Sequence, residues 1–207
     1  MTQTPSIHPQ FFGYGSLVNL ATHDYVDPTL ATLSGWRRVW RHAKARPVAF
    51  LSVESCAETT LLGITAKVPN ADWTALDLRE HAYLRRDVSA QFDHPTAVYE
   101  ANPDHTSPPS VAHPILLSYL DVVIAGYQDI CGPDGPAHFF ATTTGWGPVL
   151  DDRSDPIYPR AQPLTPKTRG IVDEALNSLS VLVQPAKRAL VDAIRSSSAT
   201  LPARRNP

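Results

Sequence analysis

The chain has 207 residues, 43% of them hydrophobic, which is enough apolar material for one folded domain and too little length for two full-sized ones. Lys and Arg number 18 against 20 Asp and Glu, a net charge of −2, so the basic excess of a dedicated nucleic-acid binder is missing. The apolar runs fall well short of the roughly 18 residues of a membrane span, and Met1–Gln10 carries no basic stretch followed by an apolar one, so secretion is not indicated. Cys56 and Cys131 are the only cysteines. They can pair, but they form no disulfide framework, the scattered histidines form no spaced zinc cluster, and a reduced cytoplasmic chain is the simpler expectation.

In chain order, residues 10–14 read as a short strand that opens into a glycine turn. Residues 33–40 (LSGWRRVW) read as a strand with a glycine bulge, and Arg37 and Arg38 take outward strand positions. Residues 48–53 and 60–68 read as two further strands with a polar turn between them. Pro69 stops the second, and Asn70 reads as the N-cap of a helix over 71–82. Residues 83–92 and 96–100 read as a strand pair broken at His94-Pro95, followed by a loop over 102–114. Leu116, Leu117, Leu120, Val123, Ile124 and Tyr127 recur at helical spacing, so 115–130 is the clearest amphipathic helix, and Gly132-Pro133 ends it. A short helix over 136–144, a proline-rich loop over 145–166, helices over 167–179 and 185–194, and a frayed tail over 196–207 complete the chain. Nothing repeats, and strands precede helices. The expectation is one α+β domain over 1–207 with an antiparallel, barrel-like sheet.

Two segments carry candidate chemistry. In Gly13-Tyr14-Gly15-Ser16-Leu17, two glycines in three residues permit positive φ and let a ligand approach the main chain closely. Successive N–H groups there can form a concave site for a carboxylate, and Ser16 adds a hydroxyl donor. The same spacing also suits a plain tight turn. It fits neither a phosphate loop nor a dinucleotide fingerprint, and Ser16 sits in no nucleophile elbow. The second candidate is Glu80. On a helical wheel, Trp73, Leu76, Glu80 and Leu84 share one stripe with Tyr83 at its edge, while Asp72, Arg79 and His81 point elsewhere. A carboxylate on that stripe loses hydration, and its pKa is expected to rise toward the range useful for proton shuttling. The alternatives are a helix that ends before Glu80 and an ion pair with Arg85 or Arg86. Asp151-Asp152-Arg153 reads as a solvated turn, and His105 and His113 as surface.

Phe12-Gly13-Tyr14-Gly15-Ser16-Leu17 resembles the hallmark YGSL turn of the γ-glutamylcyclotransferase superfamily. Leu76-Asp77-Leu78-Arg79-Glu80, followed by Tyr83, Arg85 and Val88, is similar to its second signature, in which a glutamate closes a helix. Ser118-Tyr119-Leu120, with Gly126 after it, is similar to a third. The resemblance spans about residues 10–130. It implies an α+β fold, a small mixed, mostly antiparallel β-barrel with surrounding helices, and a C-terminal helical extension over about 132–199 outside it. By the same resemblance Glu80 is the general acid/base, Tyr14, Gly15, Ser16 and Leu17 hold the γ-glutamyl group, and Tyr83 and Tyr119 line the pocket. The implied reaction releases 5-oxoproline from a γ-glutamyl amine, amino acid or peptide and uses no metal and no cofactor. The implied partner is a small γ-glutamyl substrate, with no nucleic acid and no membrane, and a homodimer is allowed. Two departures leave the leaving amine and the pocket shape open: Val18-Asn19-Leu20 replaces the Ile-Trp-basic-Pro run of the glutathione-degrading branch, and His81 stands where many members have Gly. The rival functions are an enzyme on this scaffold that removes a γ-glutamyl group from a larger biosynthetic intermediate, and a non-catalytic metabolite or partner binder.

Overall fold

The computed structural model describes residues 9–43 and 47–199. β1 (Gln10–Gly13) is buried along its whole length, and a strand apolar on both faces belongs in the middle of a sheet. It pairs antiparallel with β3 (Phe50–Lys67) and parallel with β5 (Thr96–Ala101). β2 (Val26–Ala43) forms a long antiparallel pair with β3. β4 (Tyr83–Asp87) edges β5, while β6 (Thr106–Ser107) and β8 (Thr143–Thr144) attach to β2. A second, three-stranded sheet joins β7 (Ile115–Leu116), β9 (Val149–Asp151) and β10 (Val183–Pro185). The helices are α1 (Thr74–Arg79), α2 (Leu117–Cys131), α3 (Gly135–Ala141), α4 (Pro166–Ser178) and α5 (Arg188–Ala199).

The α+β class and the mostly antiparallel sheet are present. The barrel is not closed: among the described residues, no pairing joins the β4 edge to β6, or one sheet to the other. β6 is two residues long, and β4 carries Arg85, Arg86 and Asp87 on an exposed edge, features that end a sheet rather than continue it. The two strands expected over 48–53 and 60–68 are one. Ser34 pairs with Thr60 and Trp36 with Ser55, so the polar stretch between Ser55 and Thr60 is absorbed as a bulge opposite Gly35, whose φ is +81°. The helix expected over 71–82 shrinks to α1. Asn70 and Ala71 both adopt positive φ and break its start, and Asp72, not Asn70, accepts the Thr74 N–H at 2.9 Å. β6 to β10 escaped the sequence pattern because strands of two or three residues show no periodicity. The tail expected over 196–207 is helical in α5 up to Ala199, and its last eight residues, like residues 1–8, lie outside the described residues.

The inner face of α2, with Leu117, Leu120, Val123, Ile124 and Tyr127, packs on Phe12, Val18, Trp40, Leu51 and Ile64. A second cluster of Phe11, Leu17, Ala66, Val68, Leu76 and Tyr99 seats α1 through Leu76. Both clusters close on the turn that follows β1. Among the described residues no helix is long and apolar enough to cross a membrane.

Candidate active site

After Gly13 the chain leaves β1 and enters a single 3-10 turn over Ser16–Val18. Neither Gly13 nor Gly15 has positive φ. What Gly15 provides is close approach: a Cβ there would lie 2.8 Å from the Tyr119 hydroxyl. The turn is clamped from behind. The Tyr14 hydroxyl donates to the Tyr99 carbonyl at 2.6 Å. The Tyr14 carbonyl accepts from Arg38 Nε at 3.0 Å and from the Tyr127 hydroxyl at 2.9 Å. Arg38 is fully buried. It also donates to the Leu62 carbonyl, the Tyr127 hydroxyl and Thr142 Oγ1, and its guanidinium lies over the Tyr127 and Phe139 rings at 4.8 and 5.1 Å. The outward position expected for Arg38 is therefore wrong. Arg38 shares strand parity with the buried Trp40, which places it on the core face.

The far side of the turn is held by His23 and Thr22. His23 Nε2 donates to the Leu17 carbonyl at 2.8 Å while its Nδ1 accepts the Tyr25 N–H at 3.2 Å, so both ring nitrogens of the neutral tautomer are used. Burial pushes the His23 pKa below its ordinary value; the Leu17 carbonyl opposes this shift and the Arg79 charge reinforces it. Thr22 Oγ1 donates to the Ser16 and Asn19 carbonyls, each at 2.9 Å.

Glu80 is the first residue past α1. Its N–H donates to the Leu76 carbonyl at 2.8 Å, and its own carbonyl accepts the Tyr83 N–H at 2.8 Å. The helix does end before Glu80, yet the side chain stays 18% exposed, with Arg79 Nε 3.2 Å from Oε1. Arg85 and Arg86 turn instead to Asp77 and Glu100. Arg79, expected to point away, is 9% exposed and reaches Ser16 Oγ and the Thr22 carbonyl, each at 3.3 Å. The wheel failed there because no helical phase extends past Arg79, and the long side chain folds back over the turn. Glu80 is thus shielded from water with the opposite charge of Arg79 beside it.

Glu80, Tyr14, Gly15, Ser16, Leu17, Tyr83 and Tyr119 all line one cavity of about 40 Å³, together with Leu51 and Tyr99. A neighbouring cavity of about 140 Å³ shares Ser16, Glu80, Tyr83 and Tyr119 and adds Val48, Phe50, Arg79, Leu116, Tyr158 and Arg160. Burial raises the Tyr14 pKa well above its ordinary value, with Tyr83, Glu80 and Tyr119 adding to it. Burial likewise raises that of Tyr119, helped by Tyr158 and Glu80, while a hydrogen bond from the Ser16 N–H pulls it back. Both phenols therefore stay protonated at neutral pH. The Tyr83 hydroxyl donates to the Leu51 carbonyl at 2.8 Å. Tyr119 packs edge-on to Trp40 and Tyr158, with ring centres 5.8 and 5.0 Å away.

Asp152 is not part of a solvated turn. It is buried, accepts the Ser118 N–H at 2.8 Å, the Ser118 hydroxyl at 2.6 Å and the Ile157 N–H at 2.9 Å, and so pins the following loop to the start of α2. Arg153 makes two 2.7 Å bonds to Asp121. Among the described residues, no three His, Cys, Asp or Glu side chains converge as metal ligands.

No protein-family model and no curated protein matches the sequence. Among solved structures, the chain is similar to one described as a gamma-glutamyl cyclotransferase, at a TM-score of 0.50 and 13% identity over 80% of this chain and 98% of that one. It is also similar to YkqA from Bacillus subtilis, at a TM-score of 0.51 and 16% identity over 66% of this chain and 56% of that one. At these identities the likeness shows the fold, and the chain has the γ-glutamylcyclotransferase-like fold.

Proposed function

We propose that the cleft cyclises a γ-glutamyl compound, releasing 5-oxoproline and a free amine. The observation that carries this reading is one cavity that holds both the Glu80 carboxylate and the Tyr14–Leu17 turn, with Glu80 shielded and Tyr83 and Tyr119 beside it. A γ-glutamyl amide brings its own nucleophile. Its α-amino nitrogen attacks the γ-carbonyl carbon, the bond to the leaving nitrogen breaks, and a five-membered lactam remains. Folding the substrate so that these atoms meet supplies an effective molarity of roughly 10⁵–10⁸ M. The proton lost by the attacking nitrogen passes to Glu80 and from there to the leaving nitrogen, a transfer worth roughly 10²–10⁴-fold. The Arg79 guanidinium, 3.2 Å from Oε1, holds the carboxylate in the cleft. Tyr83 lines the same cavity, and the Tyr119 hydroxyl, already accepting from Ser16, has its own proton to give to a substrate oxygen. Cys56 and Cys131 are free thiols, which suits a reducing cytoplasm.

The test is 5-oxoproline release from a panel of γ-glutamyl amino acids, amides and peptides. Wild type is expected to turn over at least one member, and Glu80→Gln to lose about 100-fold or more. Release that survives Glu80→Gln removes the role assigned to Glu80, and silence across the panel favours the non-catalytic binder.

A further inference from the structure

The neighbouring cavity has a composition that proton transfer does not use. One part of its wall is apolar, made by Val48, Phe50, Leu116 and the Tyr158 ring. Glu80 is the one carboxylate in its lining, and it stands against Arg79. The second guanidinium, Arg160, makes no hydrogen bond and no ion pair among the described residues; the Tyr25 hydroxyl is the titratable group that feels its charge. Nor is Arg160 carried on a loose strand. Asp152 ties the loop to α2 through Ser118 and Ile157, Tyr158 rests edge-on against Tyr119 at 5.0 Å, and the Ala161 N–H returns to the Tyr158 carbonyl at 3.1 Å. Arg160 stands one residue inside that closing turn. A half-buried guanidinium with uncommitted donors, held at the rim of an apolar slot, matches a carboxylate fork to fork.

We propose that this slot is the leaving-group subsite, and that it selects amines with an apolar body ending in a carboxylate, the body lying on Phe50 and Tyr158 and the carboxylate on Arg160. The inference rests on the cyclisation reading, which needs room for the leaving amine beside Glu80, and this cavity shares Glu80 with the first. Arg160 then acts as a specificity residue. It lies in the proline-rich stretch that no γ-glutamylcyclotransferase signature reaches.

Two substrates with the same body separate the idea from its rivals: γ-glutamyl-phenylalanine and γ-glutamyl-phenethylamide, which differ by the carboxylate alone. Wild type is expected to favour the acid by about tenfold in kcat/KM, Arg160→Met to bring that ratio near one, and Arg160→Lys to keep part of it. A wild-type ratio near one overturns the proposal, and so does a ratio that persists in Arg160→Met. If neither compound is turned over, the panel of γ-glutamyl compounds decides the cyclisation reading, and calorimetric binding decides the subsite by itself. The acid must then bind wild type about tenfold more tightly than the amide does, with the difference lost in Arg160→Met; equal binding overturns it.

Discussion

The two faces of the Tyr14–Leu17 turn use arginine in opposite ways. Behind the turn, Arg38 is sealed in the core, and its donors are spent on the Tyr14 and Leu62 carbonyls, Tyr127 and Thr142. In front of it, Arg79 is shared between Glu80 and Ser16, and Arg160 lines the neighbouring cavity with no side-chain partner among the described residues. The same side chain is a strut where each guanidinium nitrogen is answered by protein and a recognition group where it is not. A rigid rear wall and a selective mouth then follow from hydrogen-bond satisfaction alone.

The largest effect that can break this contrast is loss of the strut. Arg38→Met leaves the buried Tyr14 and Leu62 carbonyls to share the one Tyr127 proton and is expected to cost about 3 kcal/mol or more in chemical denaturation. A variant as stable as wild type removes the strut. Next comes the pin between the two regions. Asp152→Ala uncaps α2 and frees the loop, at about 1–2 kcal/mol of stability. It should also blunt the preference for the acid substrate although Arg160 is intact, and a full preference would show that Arg160 needs no pinned loop. The smallest effect concerns His23. Burial lowers its folded-state pKa from the ordinary 6.5, so the unfolded chain binds the extra proton first. Its contribution to stability is complete above about pH 6.5 and declines as pH falls toward the folded pKa. Protonation of Nδ1 also breaks the bond from the Tyr25 N–H. Stability of wild type should therefore fall on acidification below pH 6.5 more steeply than that of His23→Gln, and parallel curves would contradict the assignment.

The parts of the site legible in the sequence were the local ones. The turn over residues 13–17 is a contiguous motif, and Glu80 lies only four residues beyond Leu76, whose burial seats α1 and carries the glutamate to the cavity. Arg38 was misread, but a signal existed: counting by two from Trp40 puts it on the inner face. Arg79 could not be read, because its direction depends on where α1 ends, and that is set by the turn at Glu80. Tyr158 and Arg160 were further out of reach. They join the site through Asp152 and Ser118, a contact across 34 positions that no short-range pattern encodes. In the same way, the bulge opposite Gly35 disguised one long strand as two, since its polar residues carry the composition of a turn.

The most direct test of the central claim is the identity of the product when a γ-glutamyl substrate is turned over in isotopically labelled water. Attack by the substrate's own amine predicts 5-oxoproline and free amine in equal amounts, with no label from water in the lactam and the reaction abolished in Glu80→Gln. Glutamate carrying the water oxygen, formed by wild type, would show that the carbonyl is attacked by solvent and would contradict the account.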